Sequence, residues 1–281
     1  MSRWEQQSSD LQLPKPGPAL KAVMLGLLGL WLMFAMALNW GNADQAIFQL
    51  FAGNTEAIAG GQVWRLLTAP WIHMPNDPWH VVGSLLGLYF LAPSLEQRWG
   101  SRRLLFFLVA SGVIAYLCQF AAELLLPASV AQRLSSGYWF GSVPMIEAVS
   151  VAWALNFRGQ TVRLMFVLPV TARGLLAFVV GFSVLRLIAV QQTPEGLIAP
   201  FGGLAAGWLL GAGTPSPLRQ LYLKFRYNQL EREAARERQN RSARAKKAPF
   251  SVIEGGRGRR EDDDDGGGSG GNGKGGNKYL N

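Results

Sequence analysis

The chain has 281 residues, a net charge of +9 and one cysteine, Cys118, so no intramolecular disulfide framework is possible. Apolar residues crowd into 20–213, while 214–281 is polar, basic and then glycine-rich. That division excludes an ordinary soluble domain, because runs near twenty residues with few charges read as membrane-spanning helices.

Residues 1–19 read as a short cytoplasmic segment. Six apolar runs follow, at about 20–39, 79–94, 104–123, 142–156, 174–190 and 197–213. Ala35-Met36-Ala37 resembles a signal-peptide cleavage site, but the first run is too long for a signal core and more runs follow it. The fourth run is short and carries Glu147; its neighbours place it inside a bundle. The connections 40–78, 124–141, 157–173 and 191–196 read as loops. The expected fold is therefore an all-α polytopic membrane protein, a six-transmembrane-helix bundle filling 20–213.

Lysine and arginine set the orientation. Arg3, Lys15 and Lys21 precede the first run, and Arg98, Arg102 and Arg103 follow the second. Arg158, Arg163 and Arg173 lie between the fourth and fifth. The 40–78 and 124–141 connections hold one arginine each, Arg65 and Arg133, and 191–196 holds none. This alternation predicts an N-in/C-in chain in a bacterial inner membrane.

Fifteen of the 27 basic residues lie from 214 onward, so the positive charge is mainly a property of the tail. Leu218, Leu221, Tyr222 and Phe225 recur at helical spacing and predict a basic juxtamembrane helix over 214–247. Such a helix reads either as one lying on anionic lipid or as a solvated charged helix. Anionic lipid explains the charge without nucleic acid. Residues 248–281, with "EDDDDGGGSGGNGKGG", have the composition of a disordered tether.

Four stretches line up with one family. "VWRLLTAPWIHMPNDPWHVVGS" (63–84) carries Arg65, His73 and His80, and "LAPSLEQRWGSRRLLFF" (91–107) carries Glu96 and Gly100 at Glu-x-x-x-Gly spacing. "LMFVLPVTARGLLA" (164–177) and "IAPFGGLAAGWLLG" (198–211) complete the series. Taken in order on six spans, they resemble the rhomboids, intramembrane serine proteases. The resemblance implies a catalytic serine in Gly-x-Ser-Gly at the start of the fourth span and a histidine base on the sixth. It also implies an oxyanion-binding His-x-x-x-Asn on the second. Position by position, Gly141 takes the first glycine, Ser142 the variable place, Val143 the serine and Pro144 the second glycine. Pro200 takes the base, His80 the histidine, and Ser84 the asparagine.

A serine hydroxyl needs a base within hydrogen-bond reach. The last span contains no histidine in any register. The expectation is therefore an inactive, rhomboid-like pseudoprotease that binds or chaperones transmembrane segments of clients. The resemblance implies a lateral opening between the second and fifth spans. One alternative is an active endopeptidase of the serine-peptidase type with Ser142 as nucleophile and His80 as base. A third class is a small-solute or ion transporter.

The bland readings compete. Ser142 reads as a helix N-cap before a first-turn proline, His80 as a polar residue at a helix start, and His73 as solvated or interfacial. Gly203, Gly207 and Gly211 on the last span, with Ala148 and Ala152 on the fourth, have the spacing of close helix packing in lipid. Glu147 and Arg186 sit at matching depths. That predicts either that they pair, or share a network with His80 and Ser84, or that Arg186 snorkels outward. Asp77 and Glu123 are competing partners for Arg186. No cofactor or metal is expected.

Overall fold

A computed structural model describes residues 15–134, 137–164, 168–189, 193–212 and 217–247. The tether predicted over 248–281 lies outside the described residues, as does most of the segment 1–19. In chain order, α1 (Pro18–Asn39) is followed by three short helices, α2 (Gln45–Phe51), α3 (Thr55–Ala59) and α4 (Arg65–Thr68), and a 3₁₀ turn at Ala69–Trp71. Then come α5 (Pro78–Trp99), α6 (Ser101–Leu125), α7 (Ala128–Leu134) and α8 (Val143–Asn156). A hairpin of β1 (Thr161–Leu164) and β2 (Leu168–Thr171) leads to α9 (Ala172–Ala189), α10 (Ala199–Gly211) and α11 (Pro217–Lys247). The chain divides into two compact units, Met1–Tyr227 and Asn228–Asn281.

Helices α1, α5, α6, α8, α9 and α10 fall on the six apolar runs. Among the described residues three of them, α1, α6 and α9, are long and apolar enough to cross a bilayer. α8 and α10 are shorter, with 14 and 13 residues. The connections hold more structure than a loop reading allows. Residues 157–173 contain the antiparallel hairpin, with Thr161 opposite Thr171 and Leu164 opposite Leu168. The strands are too short, and Pro169 too poor a strand former, for the sequence to announce them.

Local signals explain the helix ends. Asp77 accepts a hydrogen bond from the Trp79 N–H at 3.0 Å, and Pro78 opens α5. Gly100, at φ +82°, makes the sharp corner between α5 and α6 in a left-handed conformation that other residues adopt only with strain. Buried Glu96 closes the same corner from the side. It accepts from the Ala19 and Leu20 N–H groups of α1 at 3.0 and 3.3 Å and from the Ser101 hydroxyl at 2.7 Å. A carboxylate there complements the partial positive charge of a helix start. Arg65 binds the carbonyls that end α2, donating to Gln49 and, at 2.6 Å, to Ala52.

α8 is the central element. Ten of its fourteen residues are buried, which matches its apolar character on every face. Met145, Ala148, Val149 and Ala152 pack with Leu88 and Leu95 of α5 and Leu104 and Phe107 of α6. α10 lies directly on it. A Cβ at Gly203 would strike the Pro144 backbone, one at Gly207 the Ala148 backbone, and one at Gly211 the Ala152 side chain. Small residues are therefore what permits this approach. α9 is different: among its eighteen residues only Ala172, Leu175 and Ser183 are buried. Phe178, Phe182, Leu185 and Ile188 are exposed, as lipid-facing residues are.

Candidate functional site

The site forms where the chain enters α8. Gly141 adopts φ +119° and packs between two side chains: a Cβ there would lie 2.8 Å from His80 Nε2 and 3.1 Å from Glu195 Cγ. Its N–H donates to the Ala69 carbonyl at 2.9 Å, and its carbonyl accepts the Tyr116 hydroxyl at 2.7 Å. Tyr116 stacks on Trp139, with ring centroids 4.9 Å apart, and the missing side chain of Gly53 makes room for the indole. Gln119, one turn further along α6, accepts the Ile198 and Ala199 N–H groups at 2.8 and 3.0 Å and so caps α10. One face of α6 thus fixes both the start of α8 and the start of α10.

Ser142 is fully buried and precedes α8, but its side chain makes no cap hydrogen bond. Ser142 thus holds the expected N-cap position of α8 without the capping hydrogen bond. Ser142 Oγ lies 3.0 Å from His73 Nε2, and among the described residues the hydroxyl has no other hydrogen-bond partner. His73 is no solvated loop residue either; it is fully buried. The residues before α5 carry the ring inward, where Ser84 Oγ also meets Nε2 at 3.1 Å. The base expected for Ser142, His80, makes other bonds.

Hydrogen counting assigns the His73 tautomer. Ser84 Oγ donates to the His80 carbonyl at 3.1 Å. If Nε2 carried the ring proton, the Ser142 proton and the Nδ1 lone pair would both be left unsatisfied, since Nδ1 is buried without a partner. With Nε2 bare, it accepts from Ser142, and the Nδ1 proton is left with at most the Trp71 backbone. The second arrangement leaves fewer buried groups orphaned, each worth about 1–3 kcal/mol. Burial pushes the His73 imidazole down to about 3, and nearby His80 acts in the same sense. Glu195 opposes them.

His80 and Glu195 build the adjoining layer. The Met74 N–H donates to His80 Nδ1 at 3.1 Å, so neutral His80 carries its proton on Nε2 and presents it to Glu195 Oε1 at 3.2 Å. Arg186 Nη2 donates to Glu195 Oε2 at 2.6 Å. Burial alone raises the Glu195 carboxyl, but the His80 hydrogen bond and the Arg186 charge outweigh it and hold the group below the usual carboxylate range. The chain Arg186–Glu195–His80 therefore ties α9 to the amino end of α5 through the 193–198 turn.

This corrects the expected pair. Arg186 does not meet Glu147, because Glu195 reaches it from the turn that follows α9. Glu147 instead accepts the Ser183 hydroxyl at 2.8 Å, one turn from Arg186, and its Oε2 is buried without a partner. The competing partners are occupied too. Asp77 caps α5, and Glu123 accepts from Thr55 and from Gln119 Nε2, the latter at 2.6 Å.

Val143, half-buried, follows Ser142, and Pro144 and Pro200 are buried. Neither Val143 nor Pro200 carries a titratable group. Tyr116, Gln119 and Glu195 escaped the sequence reading. The first two had a signal, polar residues three apart on one face of an apolar run; Glu195, in the turn "TPEG", had none.

A cavity of about 610 Å³ adjoins the site. Its wall includes Met74, next to His73, and Phe140, next to Gly141, with Thr193 and Pro194 beside Glu195. A family model described as the Rhomboid domain matches residues 60–216, more than half of the chain and all of the site. Among curated proteins none matches the chain.

Proposed function

The chain belongs to the rhomboid family, and from that premise we propose that it binds membrane-spanning segments of client proteins and holds them without cutting them. In this reading it is a multi-pass bacterial inner-membrane protein. Its six spans leave both termini in the cytoplasm, and its basic α11 meets anionic lipid. The observation that carries the reading is the α8–α10 seam. It retains the close approach that brings serine and histidine together in the family's proteases, yet the matching positions are Val143 and Pro200. The lightly buried α9 supports it as well, since a wall with three buried residues in eighteen is the one a client helix displaces most easily.

An endopeptidase reading draws on the Ser142–His73 hydrogen bond. An imidazole held near 3 is, however, a weak base against an amide, whose poor leaving group asks for strong proton transfer. Photoreactive residues test the client reading. Placed at Val143, the reagent should capture transmembrane peptides in native membranes, and placed at lipid-facing Phe106 of α6 it should not. Equal capture at both positions, or none at Val143, rules the reading out.

A further inference from the structure

Holding a client needs no nucleophile, yet a hydroxyl and a bare imidazole nitrogen face each other at 3.0 Å. We propose that Ser142 and His73 form a nucleophile–base pair that hydrolyses neutral acyl esters, which lodge first in the adjoining cavity; its wall holds Met74, beside His73, but neither member of the pair. The pair is displaced by one residue from the family's serine position, and its base comes from the segment before α5 rather than from α10. Both members of the pair are fully buried, and Ser84 Oγ lies 3.1 Å from the same nitrogen.

The substrate class follows from two observations. The cavity, about 610 Å³, falls within the range of small-molecule sites. Among the described residues its lining holds no charged side chain, but joins apolar Phe48, Met74 and Phe140 to the amides of Asn39, Gln49 and Asn76. That surface suits an uncharged molecule with an apolar chain and a carbonyl. The weak basicity of His73 narrows the choice to esters, whose alkoxy group leaves more readily than an amine. His80 and Glu195 act on His73 from α5 and the 193–198 turn, with Arg186 of α9 bonded to Glu195 in turn, and the Glu195 carboxylate offsets part of the ring's reluctance to take a proton.

In the reaction, Ser142 Oγ bonds to the ester carbonyl carbon while its proton passes to His73 Nε2. The Val143 and Met145 N–H groups in the first turn of α8, which the Ser142 side chain leaves uncapped, are the donors this step assigns to the developing oxyanion; Pro144 between them has none. The bond to the alkoxy group then breaks, and the ring's proton leaves with the alcohol. Water gives its proton to the same nitrogen, attacks the acyl-serine and releases the carboxylic acid. The proton returns to Ser142 Oγ.

The test uses the full chain in mild detergent, with an alkyl fluorophosphonate as label and p-nitrophenyl butyrate as substrate. The label should appear on Ser142, and Ser142→Ala should lose it together with ~10²-fold or more of the hydrolysis. Hydrolysis should stay level from pH 8 down past the ordinary imidazole value near 6.5, because the base titrates far lower. His73→Gln should lower kcat more than KM. Since that change also loosens the core, Ser142→Cys is the second arm, and its thiol should be acylated by the same ester. No label on Ser142, undiminished hydrolysis in Ser142→Ala, an inert thiol in Ser142→Cys, or an acid limb near the ordinary imidazole value each overturn the proposal.

Discussion

α8 meets two helices in opposite ways. Against α10 the contact is backbone on backbone, through glycines at 203, 207 and 211 that leave no space for a side chain. Against α9 it is limited apolar packing, through Ala172, Leu175 and Val179, and one hydroxyl–carboxylate bond, Ser183 to Glu147, while Arg186 of the same helix bonds Glu195. A seam built from missing side chains has nothing to rearrange and is fixed. A wall held by a few polar bonds has discrete fasteners, each of which can be released.

Breaking the fixed seam should have the largest effect. Gly203→Leu forces a side chain into the Pro144 backbone and should remove about 3 kcal/mol or more, or prevent folding, as read by denaturant unfolding in detergent. Gly181→Leu on α9 meets nothing within 4 Å of the new Cβ and should change stability by less than about 0.5 kcal/mol. Equal losses would erase the contrast between the two walls.

The next effect belongs to the fasteners. Glu195→Ala leaves Arg186 and His80 without their shared partner and should cost about 2–4 kcal/mol. A double-mutant cycle of Arg186→Ala with Glu195→Ala should give a coupling of about 1–3 kcal/mol. Arg186→Ala with Glu147→Ala should be additive, since these groups have different partners. Acid should act through the same layer. Glu195 has a lowered pKa, so its contribution is present above the ordinary carboxylate value and is lost as pH falls through its own.

His73 sharpens the comparison from the side of the site. Its folded form holds a proton less tightly than the unfolded chain does, so stability is full above about 6.5 and declines as pH falls toward about 3. The slope should approach about 1.4 kcal/mol per pH unit. In His73→Gln that slope should vanish from melts recorded between pH 7 and 5. The smallest effect is expected from Glu147→Gln, which keeps an acceptor for Ser183 and should shift stability by about 1 kcal/mol or less.

What the sequence made legible followed periodicity. Hydropathy located six helices, and four-residue spacing of glycine and alanine identified the faces on which α8 and α10 meet. Depth along the chain put Glu147 and Arg186 at one level, but depth carries no rotation, and rotation sends Arg186 to Glu195. The Ser142–His73 contact joins residues 69 apart through a loop with no repeat, so no local pattern encodes it. Capping preferences favoured a cap for Ser142 because that reading needs only neighbours, whereas the observed bond needs the whole bundle.

The carboxylate at position 96 has a consequence for biosynthesis. The amino end of the first helix leaves the ribosome some 77 residues before the side chain that binds it. At ordinary translation speeds of about 5–20 residues per second, that is a wait of roughly 4–15 seconds. Throughout it, those backbone amides have only water or headgroups as partners, which keeps this end of the helix at the membrane surface until the second corner of the chain arrives to lock it there.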